Sequence, residues 1–330
     1  MIKRFFSVGN DLHSGALSVP IVPRRRTWYL IAAIILLVLG AITGLRGFNW
    51  GIEFTGGSEF QIAGANTSDP DTARQIVREH VASNEPSVTV LGGTTLRVQT
   101  AQLDSDQTTA LAQDLAHGYG VSETNVSASY VGPNWGQDVT AKALQGVAVF
   151  LGLVAIVMAV YFRNWKASAA ALIALMHDLV FTILAYGAIG FEITPATVIG
   201  FLTVLGYSLY DTVVVFDKVR ENTATMLDQT RRSYADLVNL AANQTLVRSI
   251  NTGVVALLPV GSILAIGSFL LGAGTLKDIS LVLFIGTIVG TFSSVLLAPG
   301  LLVDLRSREA DITSHTQRVA DARTRQGAAA

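Results

Sequence analysis

Six apolar stretches of this chain are each long enough to cross about 30 Å of hydrocarbon, which takes about 20 helical residues. They lie near residues 28–45, 144–161, 167–189, 196–216, 250–271 and 279–303. Half of the 330 residues are apolar and 14% are charged, whereas a soluble globular chain carries about 25% charged residues. The expected fold is an α-helical polytopic membrane protein with six transmembrane helices. The first stretch reads as a permanent span, because its apolar run is full length and no small-x-small cleavage site precedes the outer segment.

Composition removes several function classes. The net charge of −1 gives no reason to expect nucleic acid as a partner. Without cysteine there are no disulfides, thiolate metal sites or cysteine nucleophiles. No lysine follows a glycine, so a Walker A phosphate loop is absent. No cofactor and no metal are expected.

Basic residues orient the spans. Lys3, Arg4, Arg24, Arg25 and Arg26 precede the first, and Arg163 and Lys166 separate the second from the third. Lys218, Arg220, Arg231 and Arg232 lie between the fourth and fifth, and five arginines follow the sixth. Only Arg46, Arg74, Arg78, Arg97, Lys142 and Lys277 fall on the opposite side. Both termini are therefore expected in the cytoplasm. Residues 1–27 read as a cytoplasmic segment, 28–45 as the first span, 46–139 as an extracytoplasmic domain, 140–303 as spans two to six, and 304–330 as a disordered cytoplasmic tail.

The outer segment reads strand, helix, strand, strand, helix, strand. Residues 59–62 alternate as a strand; Asp69 and Pro70 then start a helix whose inward face is Ala73, Ile76, Val77 and Val81. Residues 87–90 and 95–99 alternate around Gly92 and Gly93, a hairpin signal. A second helix over 104–117 turns Leu111 and Leu115 inward and ends at Gly118, and 125–131 alternates again. That order is the split βαβ of a ferredoxin-like α+β domain. His80 and His117 fall at helix C-termini, where a histidine serves as a dipole partner.

Ionisable residues inside spans are costly and point to function. Asp211 lies in the fourth span, roughly 10 Å from its cytoplasmic end at 1.5 Å per residue. Asp178 lies in the third span beside His177, and Arg248 near the cytoplasmic start of the fifth. Because the spans alternate in direction, all three fall in the cytoplasmic half. Tyr207, Ser208 and Thr212 surround Asp211 with hydroxyls, which suits a hydrated pocket or proton path. The bland readings are a snorkelling anchor for Arg248, a helix–helix hydrogen bond for Asp178, and the wet end of a helix for Asp217 and Lys218. Two GxxxG pairs, Gly40/Gly44 and Gly286/Gly290, read as helix packing.

Three runs carry a family resemblance. They are FNWGIEFTGGSEFQI after the first span, GYSLYDTVVVFDKVREN in and beyond the fourth, and NQTLVRSINT at the fifth, with MHD in the third. Together they resemble the SecF family of protein-export membrane subunits, which work with SecD beside the SecYEG channel within the resistance-nodulation-division superfamily. The resemblance implies an accessory subunit of the Sec machinery, not an enzyme. It would use the proton-motive force to promote late translocation of unfolded polypeptides across the bacterial cytoplasmic membrane, with protons as the coupling ion. Asp211 takes the position of the family's proton-carrying aspartate, and Arg248 that of the fifth-span arginine facing it. The signature after the first span maps to Gly51, Glu53, Phe54, Gly56 and Gly57. Glu53 stands where the family usually has aspartate, and Tyr210 where it has asparagine. Other readings are half of a lipid or drug exporter of the same superfamily, an intramembrane aspartyl protease using Asp178 and Asp211, and a pure scaffold.

Overall fold

The computed structural model describes residues 11–328 other than 13, 15, 82–85, 92–93 and 268–273. The expected turn at 92–93, residues 1–10 and the end of the fifth expected span lie outside the described residues. Among those described, six helical stretches are long and apolar enough to cross a membrane. They are α1 (Arg25–Arg46), α5 (Pro133–Phe162), α6 (Trp165–Ile189), α7 (Pro195–Thr223), α8 (Tyr234–Ala265), and α9 (Gly274–Leu296) continued by α10 (Ala298–Arg306). This is the architecture of a polytopic membrane protein.

Side chains at the helix starts explain the boundaries. Asn164 caps α6 by accepting from the amides of Lys166 and Ala167. Thr194 and Thr197 form a reciprocal capping box on α7, with Pro195 just inside. Ser233 and Asp236 do the same for α8. The sixth span, expected unbroken, divides at Leu297 because Pro299 lacks an N–H and its ring crowds the preceding turn.

Between α1 and α5 lie a two-residue strand β1 (Asn49–Trp50), a single turn α2 (Ile52–Thr55), and β2 (Gly57–Ile62), α3 (Pro70–His80), β3 (Ser87–Leu91), β4 (Thr95–Thr100), α4 (Ser105–Tyr119) and β5 (Val126–Val131). The four longer strands form an antiparallel sheet in the order β3-β4-β2-β5. Phe60 pairs with Val98 and Ile62 with Leu96, and these face α3 and α4, where Ala73, Val77, Leu111, Leu115 and Tyr119 complete the core. Asp69 caps α3 by accepting from the Asp71 amide. The end of α4 differs from expectation: Gly120, with φ +64°, terminates it, and Gly118 stays helical. His80 reaches past its own helix end to Asp114 of α4, 3.0 Å away.

Three features were not expected. Strand β1 pairs in parallel with β6 (Glu192–Ile193), the connection between α6 and α7. Residues 18–22, ahead of the first span, are strapped to α8. The Val19 amide donates to Asn243 Oδ1 at 2.7 Å and the Val22 amide to Asn239 Oδ1 at 2.9 Å. The tail read as disordered instead forms α11 (Ala310–Ala328). It buries Ile312, His315 and Val319, and Arg323 reaches Asp236 at 2.6 Å. Ile312, His315 and Val319 recur at three- and four-residue spacing, which gives this otherwise polar segment one face to bury.

Candidate functional site

Helices α7 and α9 approach closely because glycine lines their contact. A Cβ on Gly286 would run into the Val204 side chain, and one on Gly290 would sit 2.9 Å from Ser208 Cβ. The other pair differs: a Cβ on Gly40 would lie 3.9 Å from Leu184 Cδ1, and one on Gly44 would meet no neighbouring element within 4 Å. The first pair brings the polar positions of α7 against α9.

Asp211 is buried there with 4% exposure. Its Oδ1 accepts from Ser249 of α8 at 2.8 Å and its Oδ2 from Ser294 of α9. Asp178 is fully buried one layer over. Its Oδ1 lies 3.0 Å from His177 Nδ1, and its Oδ2 accepts from Ser208 of α7 and, at 2.7 Å, Ser293 of α9. The adjacent Ser293 and Ser294 thus serve two different carboxylates on two different helices. Each serine also lies near a carbonyl of its own helix, Gly290 O at 3.2 Å and Thr291 O at 3.1 Å.

The expected hydroxyl shell is therefore redistributed. Ser208 serves Asp178 and not Asp211. Thr212 is buried, and the Tyr207 hydroxyl is buried beside Thr291. The donors to Asp211 are Ser249 and Ser294, which the sequence reading passed over. Their signal was present, since serines within the apolar runs of α8 and α9 are polar groups that need partners.

The expected facing of Asp211 and Arg248 is also not made as an ion pair. Helical rotation of about 100° per residue turns Ser249, not Arg248, toward Asp211. Arg248 points outward and donates to the Tyr210 hydroxyl at 3.3 Å. Tyr210 is 57% exposed, turned away from the bundle for the same reason. Two neighbouring contacts thus join α7 to α8: an inward one through Asp211 and Ser249, and an outward one through Tyr210 and Arg248.

The signature after the first span builds the turn into the outer sheet. Gly51 donates its amide to Ile193 O at 2.9 Å. Gly57 has φ +148°, and a Cβ there would meet Thr100 O at 2.5 Å, so the strand enters the sheet only with glycine at this point. Gly56 closes α2, and Phe54 packs edge-on to Trp50 with centroids 5.8 Å apart. Burial holds Glu53 above the ordinary glutamate range, and the charges of Glu192 and Glu59 push it the same way.

Comparison with known proteins identifies the family. The family model described as protein export membrane protein SecD/SecF, C-terminal, matches residues 112–308, and the SecD/SecF GG motif matches residues 42–64. The protein translocase subunit SecF of Streptomyces coelicolor is 44% identical over 330 residues, covering 99% of this chain and 87% of that one. The SecF of Mycobacterium tuberculosis (H37Rv) is 40% identical over 318 residues, covering 93% and 72%. The crystal structure of SecDF from Thermus thermophilus superposes with a TM-score of 0.77 at 28% identity, covering 88% of this chain. This chain spans only 39% of that longer one. A six-span bundle, a GG-motif turn into an outer sheet and near full-length identity to SecF subunits lead to one conclusion: the chain belongs to the SecF branch of the SecD/SecF family of protein-export membrane proteins.

Proposed function

We propose that this chain couples the proton-motive force to late steps of polypeptide translocation, acting with a SecD-like partner beside the SecYEG channel. Its class follows from its family: an accessory subunit of Sec protein export and not an enzyme. The observation that carries the proton role is the hydroxyl cradle of Asp211. A serine hydroxyl both donates and accepts. Toward ionised Asp211, Ser249 and Ser294 donate. Toward protonated Asp211, Ser294 accepts, and its own hydrogen turns to the Thr291 carbonyl 3.1 Å away. Both forms leave the buried polar groups paired, which avoids the cost of an unsatisfied one. Asp178 has the same alternative through Ser293 and the Gly290 carbonyl. His177 and Asp178 extend the path beside Asp211, with Ser208, Tyr207 and Thr212 as its polar surroundings.

The outward contact supports a partner. A guanidinium at a span centre costs about 2.5–3.5 kcal/mol on insertion scales. Arg248 stands well inside α8, level with Asp211, and its exposed side belongs against the partner's helices, where an acidic group would meet it. The Thermus relative is itself named SecDF. Both termini lie in the cytoplasm on the charge distribution, and the outer domain is extracytoplasmic and ferredoxin-like. The sheet order β3-β4-β2-β5 supports that reading. Its edge strand β5 is largely exposed and can pair with extended polypeptide, which needs little sequence specificity.

One proton moving down 100 mV supplies about 2.3 kcal/mol, enough to bias a conformational equilibrium roughly fifty-fold at about 1.4 kcal/mol per tenfold. The test is export into vesicles with and without a proton gradient. Asp211→Asn is expected to assemble with the partner and to lose the gradient-dependent gain. An undiminished gain in Asp211→Asn would place the proton elsewhere and make this chain a scaffold.

A further inference from the structure

The outer sheet has two faces. Phe60, Leu96 and Val98 point to α3 and α4, and the alternation of the strands sends Glu59, Arg97 and Gln99 to the other side. That polar face is not left to solvent, because it meets Glu192 of β6. Arg97 Nη1 lies 3.4 Å from Glu192 Oε2, and Arg97 Nε lies 3.5 Å from Glu59 Oε1. Gln99 Nε2 donates to Glu192 Oε1 at 2.6 Å and to Glu59 Oε2 at 3.1 Å. The Glu192 side chain is 9% exposed and that of Arg97 is 13% exposed. The carboxylates of Glu53 and Asp278 add to the negative surroundings of Arg97.

Glu192 is also tied to the bundle. Its carbonyl accepts from Thr197 Oγ1 at 3.3 Å, inside the first turn of α7. Thr194, the cap of α7, donates to Asp278 Oδ2 of α9 at 3.3 Å, and Tyr186 of α6 donates to the Asp278 carbonyl at 2.9 Å. Strand β1 pairs with Glu192 and Ile193 of β6 from the other side. The starts of α7 and α9, the helices that carry Asp211, Ser293 and Ser294, are therefore tied through the α6–α7 connection to the outer-sheet side chains that hold Glu192.

We propose that the Glu192–Arg97 pair, braced by Gln99, is the link that positions the outer domain on α7, so that a shift of α7 and α9 moves the sheet. Arg97 is a positioning residue: its ion contacts are Glu59 and Glu192, not Asp211 or Asp178. The coupling half of this inference rests on the proton reading above. The positioning half rests on the contacts alone.

The experiment uses the complex with its partner in vesicles. The cysteine-free chain carries spin labels at Gln113→Cys in the outer domain and Ala224→Cys at the far end of α7. In Arg97→Gln the label-to-label distance distribution is expected to broaden, and export with a gradient is expected to fall to the rate without one. The charge swap Arg97→Glu with Glu192→Arg keeps a cation between two acids, Glu59 and the new glutamate. It is expected to restore both the narrow distribution and the gradient-dependent gain. A distribution in Arg97→Gln as narrow as in the parent would overturn the link, whatever the proton does. A broadened distribution with the full gradient-dependent gain retained would overturn the coupling role. Should Asp211→Asn keep its gain, the proton reading fails by itself, and the distance measurement still decides the positioning role.

Discussion

In the outer domain Phe60, Ile62, Leu96, Val98, Leu111 and Leu115 are fully buried, beside Ser58, whose hydroxyl accepts from the Leu103 amide at 3.2 Å. In the bundle, buried Val204, Leu205, Val215 and Val282 are joined by a set of buried polar side chains, Asp178, Ser208, Asp211, Ser249, Ser293 and Ser294. The difference follows from the solvent on each side. Water rewards the outer domain for hiding apolar surface, so its core is its hydrophobic residues. Lipid is as apolar as leucine and gives no such reward, so the bundle associates through close packing at glycine and through hydrogen bonds between helices. Outside, Leu30, Leu37 and Leu45 of α1 and Val149, Leu153 and Val160 of α5 are exposed, as a lipid-facing surface requires.

This contrast can be broken by substitution at each kind of core. The largest effect is expected from Leu111→Ala, which empties a fully buried site in the outer domain. Such truncations cost about 2–5 kcal/mol. Hydrogen exchange of the full chain in detergent should show β2, β4 and α4 opening more readily while α7 and α9 stay protected. Equal loss of protection in α7 would mean that the two cores are one cooperative unit.

A smaller effect sharpens the comparison from the bundle's side. Gly286→Leu forces a side chain against Val204 and should destabilise the α7–α9 contact by about 1–3 kcal/mol, as overpacking does. Gly44→Leu, where an added Cβ meets nothing within 4 Å, should be close to neutral. Thermal unfolding in detergent separates the two. A large loss in both would mean that the α1 surface is packed against something in the folded state.

The smallest effect is expected at the tail, where water governs again. Glu309 bridges Lys166 at 3.3 Å and Arg306 at 3.0 Å just ahead of α11. Burial alone would raise its carboxyl, but the hydrogen bonds and charges of Arg306 and Lys166 hold it below the ordinary glutamate range. A depressed carboxyl contributes stability above its unfolded value, and that contribution is lost as pH falls through the folded one. Docking of α11 should therefore weaken in acid. Glu309→Gln should show the weakening already at neutral pH, by about 0–1 kcal/mol for an ion pair at the partly buried surface. Protease accessibility of α11 across pH measures it, and an identical pH profile in the variant would rule the bridge out.

The two regions also differed in how far they could be read in advance. The outer domain announced its elements through alternation, helical spacing and caps, because each element there has a wet face and a dry face. Leu111 and Leu115 turn inward as their spacing requires. The spans announced their number and length but not their azimuth. Asp211 was identifiable as a buried acid from its setting alone, whereas its partners were not. A helix apolar on nearly every side carries no periodic mark of which face meets a neighbour.

Sequence by itself determined six spans, one outer α+β segment after the first, the capped start of α3, and the presence of acids inside the third and fourth spans. These are local properties: the length of an apolar run, the chemistry of a cap, the price in lipid of a carboxylate. Tertiary structure alone decided that Ser249 and Ser294 hold Asp211, that Arg248 turns outward to Tyr210, and that β6 meets both β1 and Arg97. It also decided that the polar tail folds back as α11 onto the connection between α7 and α8. The first two depend on how two helices are rotated about their own axes when they pack, and the others on contacts between segments far apart in the chain. A single residue of rotation moves a side chain by about 100°, which is enough to exchange Arg248 for Ser249 as the neighbour of Asp211.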